Sequence, residues 1–205
     1  MFTLLFVAFL LTDIAVRMWL ASRQIRHVAR HRDQVPPEFS HRIGLASHQR
    51  AADYTVARVR LGMFERTYDA ILLIGLTLLG GLQAIDLMVG QLTSNDFLRQ
   101  MLLLVAVALL LGLLGLPFTL WRQFKLEARF GFNRMTPELF ISDAVKGLLV
   151  AAALGLPLAA AVLWLMGSAG QYWWIWAWAL WTVFNLALLI VYPMFIAPLF
   201  NKFTP

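Results

Sequence analysis

The chain has no cysteine, so a disulfide-built scaffold is excluded. Charge is scarce too. Asp, Glu, Lys and Arg make up 14% of the 205 residues, where a soluble globular domain carries about 25%. With 60% of the chain hydrophobic, too few polar groups remain to cover the surface that a folded soluble domain exposes. An ordinary soluble domain and a disordered chain are therefore both excluded. Internal repeats and low-complexity tracts are absent as well. The opening Met1-Phe2-Thr3-Leu4 also lacks the basic residues that begin a secretory signal.

What the sequence does have is long apolar runs. About 20 such residues cross the roughly 30 Å hydrocarbon layer as a helix. Five windows qualify: Met1 to Leu20, Ala70 to Val89, Phe97 to Leu120, Val145 to Met166 and Trp173 to Ala197. Runs such as Leu102 to Leu114 show none of the polar alternation of a barrel strand. The expected fold is all-α, a polytopic bundle of about five transmembrane helices. The one sizeable polar segment, Ser22 to Thr67, reads as a helix, a Pro36-Pro37 break and a second helix, extending spans one and two on the cytoplasmic side.

The net charge of +6 is a topology signal. Of 17 Lys and Arg, ten lie between Arg17 and Arg66, five between Arg122 and Lys146, and Lys202 follows the last span. Only Arg99 falls elsewhere. Basic segments thus alternate with nearly uncharged ones, placing the amino terminus outside and the carboxyl terminus in the cytoplasm. Nucleic acid is not an expected partner; the lipid bilayer is.

Trp173, Trp174, Trp176, Trp178 and Trp181 open the fifth window and read as a headgroup-level belt, with a stacking platform for a ligand as the other reading. Gly147, Ala151, Gly155 and Ala159 form a small-residue face suited to close helix packing. Pro117 and Pro157 are expected to kink their helices.

Polar groups with chemical potential are few. His27 and His31 share a helix face, but the segment His27-Val28-Ala29-Arg30-His31 has Val28 where H-E-x-x-H requires Glu. Flanking arginines also repel a dication, so a basic helix near headgroups is the preferred reading. Asp13 and Arg17, four apart, read either as an ion pair inside span one or as a polar lining for a water-filled chamber. Asp86 lies near the outer end of span two, where snorkelling is easy. Between Trp121 and Lys146 a loop of alternating charges and aromatics is expected. It turns sharply at Gly131, between Phe130 and Phe132, before a helix capped by Thr136 with Pro137 in its first turn.

The residues Leu116-Pro117-Phe118, Phe124, Glu127 and Phe130-Gly131-Phe132-Asn133, with the ending Tyr192-Pro193-Met194-Phe195-Ile196-Ala197-Pro198-Leu199-Phe200-Asn201-Lys202-Phe203-Thr204-Pro205, resemble the amino-terminal region of type I CAAX prenyl proteases. Arg23-Gln24-Ile25-Arg26-His27-Val28 and Asp53-Tyr54 are similar to bacterial members, which implies a bacterial inner membrane. The resemblance covers essentially the whole chain. It implies a five-helix membrane module of an integral-membrane zinc metalloendopeptidase, whose helices enclose a large water-filled chamber. The family's single zinc is held by an H-E-x-x-H helix and a later Glu in a cytoplasmic-side domain, and none of the four histidines here opens such a motif. That domain follows the Phe200-Asn201-Lys202-Phe203 ending in the family, whereas this sequence stops at Pro205. Residues 1–205 are therefore expected to form one amino-terminal membrane domain, with no catalytic or metal residues and no cofactor of its own. Its expected partners are the missing catalytic domain and the peptide or membrane-protein substrate of the full-length enzyme. Asp13 and Arg17 are candidates for chamber lining, and Glu127, Arg129, Phe130, Gly131, Phe132, Asn133 and Asp143 for a docking loop. The alternative is a non-catalytic membrane interaction or scaffold protein derived from that family.

Overall fold

A computed structural model describes residues 1–200. Lys202 and the Asn201–Pro205 part of the closing motif lie outside the described residues. Every regular element among those described is helical. In chain order they are α1 (Phe2–Arg30), α2 (Leu45–Thr77), α3 (Gly81–Gly90), α4 (Asp96–Phe130), α5 (Pro137–Ser168) and α6 (Gly170–Phe200). Helices α1, α4, α5 and α6 are each long and apolar enough to cross a membrane, and α2 and α3 meet the same test together as a bent pair, for four to five spans among the described residues. The all-α polytopic class expected from composition is the class observed.

Apolar side chains point outward along the spans. Leu149, Leu189 and Ile190 are 64%, 72% and 64% exposed, a surface that only a lipid environment tolerates at such density. Hydroxyls within the helices are satisfied locally. Thr12, Thr77 and Thr182 donate to the carbonyls of Ala8, Leu73 and Trp178 at 2.7, 2.6 and 2.9 Å, which removes unpaired donors from the apolar surroundings.

Three expectations need correction. The second span, read as one helix over Ala70–Val89, is broken: α2 and α3 meet at an angle of 54°. Gly80 adopts φ 81° there, a left-handed conformation natural to glycine. A Cβ on Gly81 would stand 2.8 Å from the Gly75 carbonyl oxygen, so a second glycine is required for the approach. The stretch expected as a loop from Trp121 is helical through Phe130, by way of a π-helical turn at Arg122–Glu127. A second π-turn at Tyr192–Ile196 contains Pro193. Proline has no N–H to give and crowds the preceding turn, which a widened helix accommodates. Thirdly, the small-residue face of α5 makes no close approach among the described residues, since a Cβ on Gly147 or Gly155 would meet nothing within 4 Å. Pro117 and Pro157 do lie inside α4 and α5, and the polar segment is a helix, a turn at Pro37–Phe39 and a second helix as expected.

The chain divides into two compact units. The first comprises Met1–Ala84 and Leu109–Arg134, the second Ile85–Ala108 and the chain from Met135. In the first, α1 packs along α2. In the second, Arg99 grips Asp86 with two donors, Nε reaching Oδ1 at 2.9 Å and Nη2 engaging Oδ2.

Candidate functional site

The polar chemistry of the first unit gathers where α1 ends and α2 begins. Beyond Arg30 the chain turns back, and Arg32 reaches across to α2. Its Nε and Nη2 donate to the two carboxylate oxygens of Asp53 at 2.8 and 2.9 Å. This is the bidentate fork that matches guanidinium to carboxylate. Arg32 chiefly, with a weaker contribution from Arg129, holds the Asp53 carboxyl below its usual range. Gln49 donates to Asp33 at 2.7 Å, and a ring nitrogen of His48 lies 2.9 Å from the His31 carbonyl oxygen. Five side chains from α2 and the turn (Arg32, Asp33, His48, Gln49 and Asp53) thus close the end of the hairpin.

The Glu127–Asn133 segment is seated on the same region. Gly131 has φ 78°, and beyond it the Phe132 and Asn133 N–H groups donate to the Glu127 carbonyl at 2.9 and 3.3 Å. The Gly131 N–H donates to the Ala128 carbonyl at 3.1 Å. These bonds satisfy carbonyls that a helix end leaves open. The reversal presents Phe130 and Phe132 to one ring: Tyr54 of α2 meets them edge-on with centroids 5.3 and 4.9 Å apart. Gln123, on the π-turn, donates to Asn133 Oδ1 at 2.8 Å. Leu126, also on the π-turn, is buried, and Arg122 pairs with Glu65 of α2.

Asp13 and Arg17 pair at 2.6 Å on α1. Both line a cavity of about 230 Å³ beside Arg66 and Asp69. Arg17 also borders a larger one of about 740 Å³ between α1 and α2. A third cavity of about 730 Å³ has mostly apolar walls, formed by Phe64, Tyr68, Phe118 and Trp121 among others.

Of the candidates for the docking loop, Glu127 through Asn133 are brought together by Tyr54 and Gln123. Asp143 belongs to the second unit, on α5, 3.5 Å from Lys146. Lys146 in turn lies 6.0 Å from the Phe200 ring centroid, within cation–π range. The rings of His27 and His31 sit 4.4 Å apart, with His31 Nδ1 2.8 Å from the His27 carbonyl oxygen. Among the described residues no group of three or more His, Asp or Glu side chains is disposed to hold a metal ion. Thr136 caps α5 by accepting the Leu139 N–H at 3.2 Å. Arg32, Gln123 and the pairing role of Tyr54 were not read from the sequence. Their partners are too distant along the chain for helical spacing to connect.

Fold and site together define a polytopic all-α membrane protein with cavities between its helices and a loop fastened against α2. Comparison with known proteins makes the class specific. Residues 24–202 match the family described as CAAX prenyl protease N-terminal, five membrane helices, and the chain belongs to that family. The CAAX prenyl protease 1 homolog of Mus musculus is 30% identical over 211 residues, covering 98% of this chain and 44% of the mouse protein. The rice (Oryza sativa) homolog is 39% identical over 116 residues, 57% of this chain and 27% of its own length. The crystal structure of S. mikatae Ste24p superposes with a TM-score of 0.88 at 24% identity, covering 97% of this chain and 47% of that one. The chain thus spans somewhat under half the length of the mouse and S. mikatae proteins.

Proposed function

We propose that this chain is the membrane-embedded amino-terminal module of a zinc endopeptidase of the CAAX prenyl protease type. It anchors the enzyme and lines part of the chamber that admits a peptide or membrane-protein substrate, and it carries no catalytic group itself. The observation that supports this reading is the family match over residues 24–202 in a chain that covers 44% of the mouse relative. The zinc site is assigned to the part of the relatives that this chain does not span. Asp13 and Arg17 contribute polar lining. Glu127, Arg129, Phe130, Gly131, Phe132 and Asn133 form a surface that docks the catalytic domain, and Asp143 is a separate candidate for that docking. The alternation of basic segments places the amino terminus outside and the docking loop in the cytoplasm. The resemblance at Arg23–Val28 and Asp53–Tyr54 favours a bacterial inner membrane.

The test is coexpression of this chain with the carboxyl-terminal half of a relative. Metal-dependent peptide cleavage is expected only when both are present. Stoichiometric zinc or peptide cleavage by this chain alone, lost on His27→Ala and His31→Ala, overturns the reading.

A further inference from the structure

The cavity of about 740 Å³ between α1 and α2 falls in the size range of small-ligand sites, about 300–1,000 Å³. Its walls carry four arginines, Arg17, Arg58, Arg66 and Arg122, against two carboxylates, Glu65 and Asp69. Two of these guanidinium groups are occupied: Arg17 by Asp13 at 2.6 Å, and Arg122 by Glu65. No ion pair or side-chain hydrogen bond to Arg58 or Arg66 is present among the described residues. Even with Asp13 counted, the lining is net positive.

The spacing of the two free arginines is informative. Arg58, Gly62 and Arg66 follow one another at intervals of four on α2, so they share one face. The arginine Cα positions are about 12 Å apart along the axis, from a rise of about 1.5 Å per residue. Gly62 lines the cavity between them, and a Cβ placed there would meet nothing within 4 Å. The helix thus presents an open glycine position with an arginine one turn before it and one turn after it, all three lining the cavity. One carboxylate satisfies one guanidinium, having two oxygens. Two arginines on one cavity wall match a tetrahedral group with more acceptor oxygens. The position also lies at the right depth. Arg17 lies three residues before the end of the first apolar run at Leu20, and Arg66 lies four residues before the second run, which starts at Ala70. Basic pockets between membrane helices at this level accept lipid phosphates.

We infer that Arg58, Gly62 and Arg66 form a site for a phosphate group, supplied by an anionic lipid headgroup or by a soluble phosphate. The site is independent of the assignment to a protease. The purified chain in neutral detergent is titrated with short-chain phosphatidylglycerol in one arm and inorganic phosphate in the other, following thermal stabilisation. Circular dichroism checks that each variant is helical. Arg58→Gln/Arg66→Gln is expected to weaken binding about tenfold to a hundredfold, from the loss of charge-assisted hydrogen bonds. Gly62→Leu keeps every charge and favours the helix, yet fills the open position, and is expected to weaken binding to a similar degree. Arg42→Gln/Arg50→Gln, with the same change in net charge outside the cavity, is expected to stay within roughly twofold. Stabilisation by the lipid alone assigns the site to a headgroup, and stabilisation by both ligands assigns it to phosphate in general. Equal affinity in the unmodified chain and in Gly62→Leu, or an equal loss in the Arg42/Arg50 variant, overturns the proposal.

Discussion

Phe132 meets Tyr54 edge-on, ring centroids 4.9 Å apart and planes 67° to each other, and that contact joins α2 to a segment far along the chain. Phe130 approaches the same tyrosine at 5.3 Å. The loop is thus held by its rings as well as by the hydrogen bonds of its own turn.

Removing the shared ring tests this directly. Two edge-on pairs at about 0.5–1.5 kcal/mol each give an expected loss of about 1–3 kcal/mol for Tyr54→Ala. Limited proteolysis should then cut between Glu127 and Arg134 well before the rest of the protein, while Tyr54→Phe stays protected. Unchanged protection in Tyr54→Ala would show that the backbone turn alone holds the segment.

Asp53 carries a pH signature. Arg32 depresses its carboxyl in the folded state, so the unfolded chain binds a proton more readily and the pair stabilises the fold above the ordinary aspartate value of about 3.9. That stability is lost as pH falls through the lower, folded value. The melting temperature of Asp53→Asn should therefore lie below that of the unmodified chain at neutral pH. The gap should begin to narrow as pH falls below about 4 and close once pH lies below the folded value. A gap that persists there would assign the effect to packing instead of charge.

The Asp86–Arg99 pair is suited to a double-mutant cycle. Its bidentate geometry makes a measurable coupling expected. Asp86→Asn and Arg99→Gln should each destabilise the chain in detergent, and the double variant should cost less than the two added together. Strict additivity would show that the pair contributes nothing.

Much of the fold was legible because it rests on local chemistry. Apolar runs marked the spans, Thr136-Pro137 marked the start of α5, and the spacing of Asp13 and Arg17 marked an ion pair that does form. The signals that escaped were of two kinds. Gly80-Gly81 stood within an apolar run, whose continuity concealed a bend that the left-handed Gly80 makes natural. Arg32–Asp53, Arg122–Glu65, Asp86–Arg99 and Gln123–Asn133 each join residues that helical periodicity does not bring together, so nothing in one sequence pairs them. At the candidate site the individual residues of Phe130–Asn133 were visible, but the α2 face that receives them was not.

The π-turn at Arg122–Glu127 sets the phase of the last helical turn of α4. It adds one residue to the circuit of the helix, so a helical wheel drawn through it slips by about 100°. The side chains beyond it face a direction that the apolar run before it does not dictate. The azimuth of Phe130 relative to Phe118 is therefore fixed by a single inserted position. Deleting one residue there would restore an ordinary helix and swing the aromatic pair away from Tyr54, with every side chain of the loop still present.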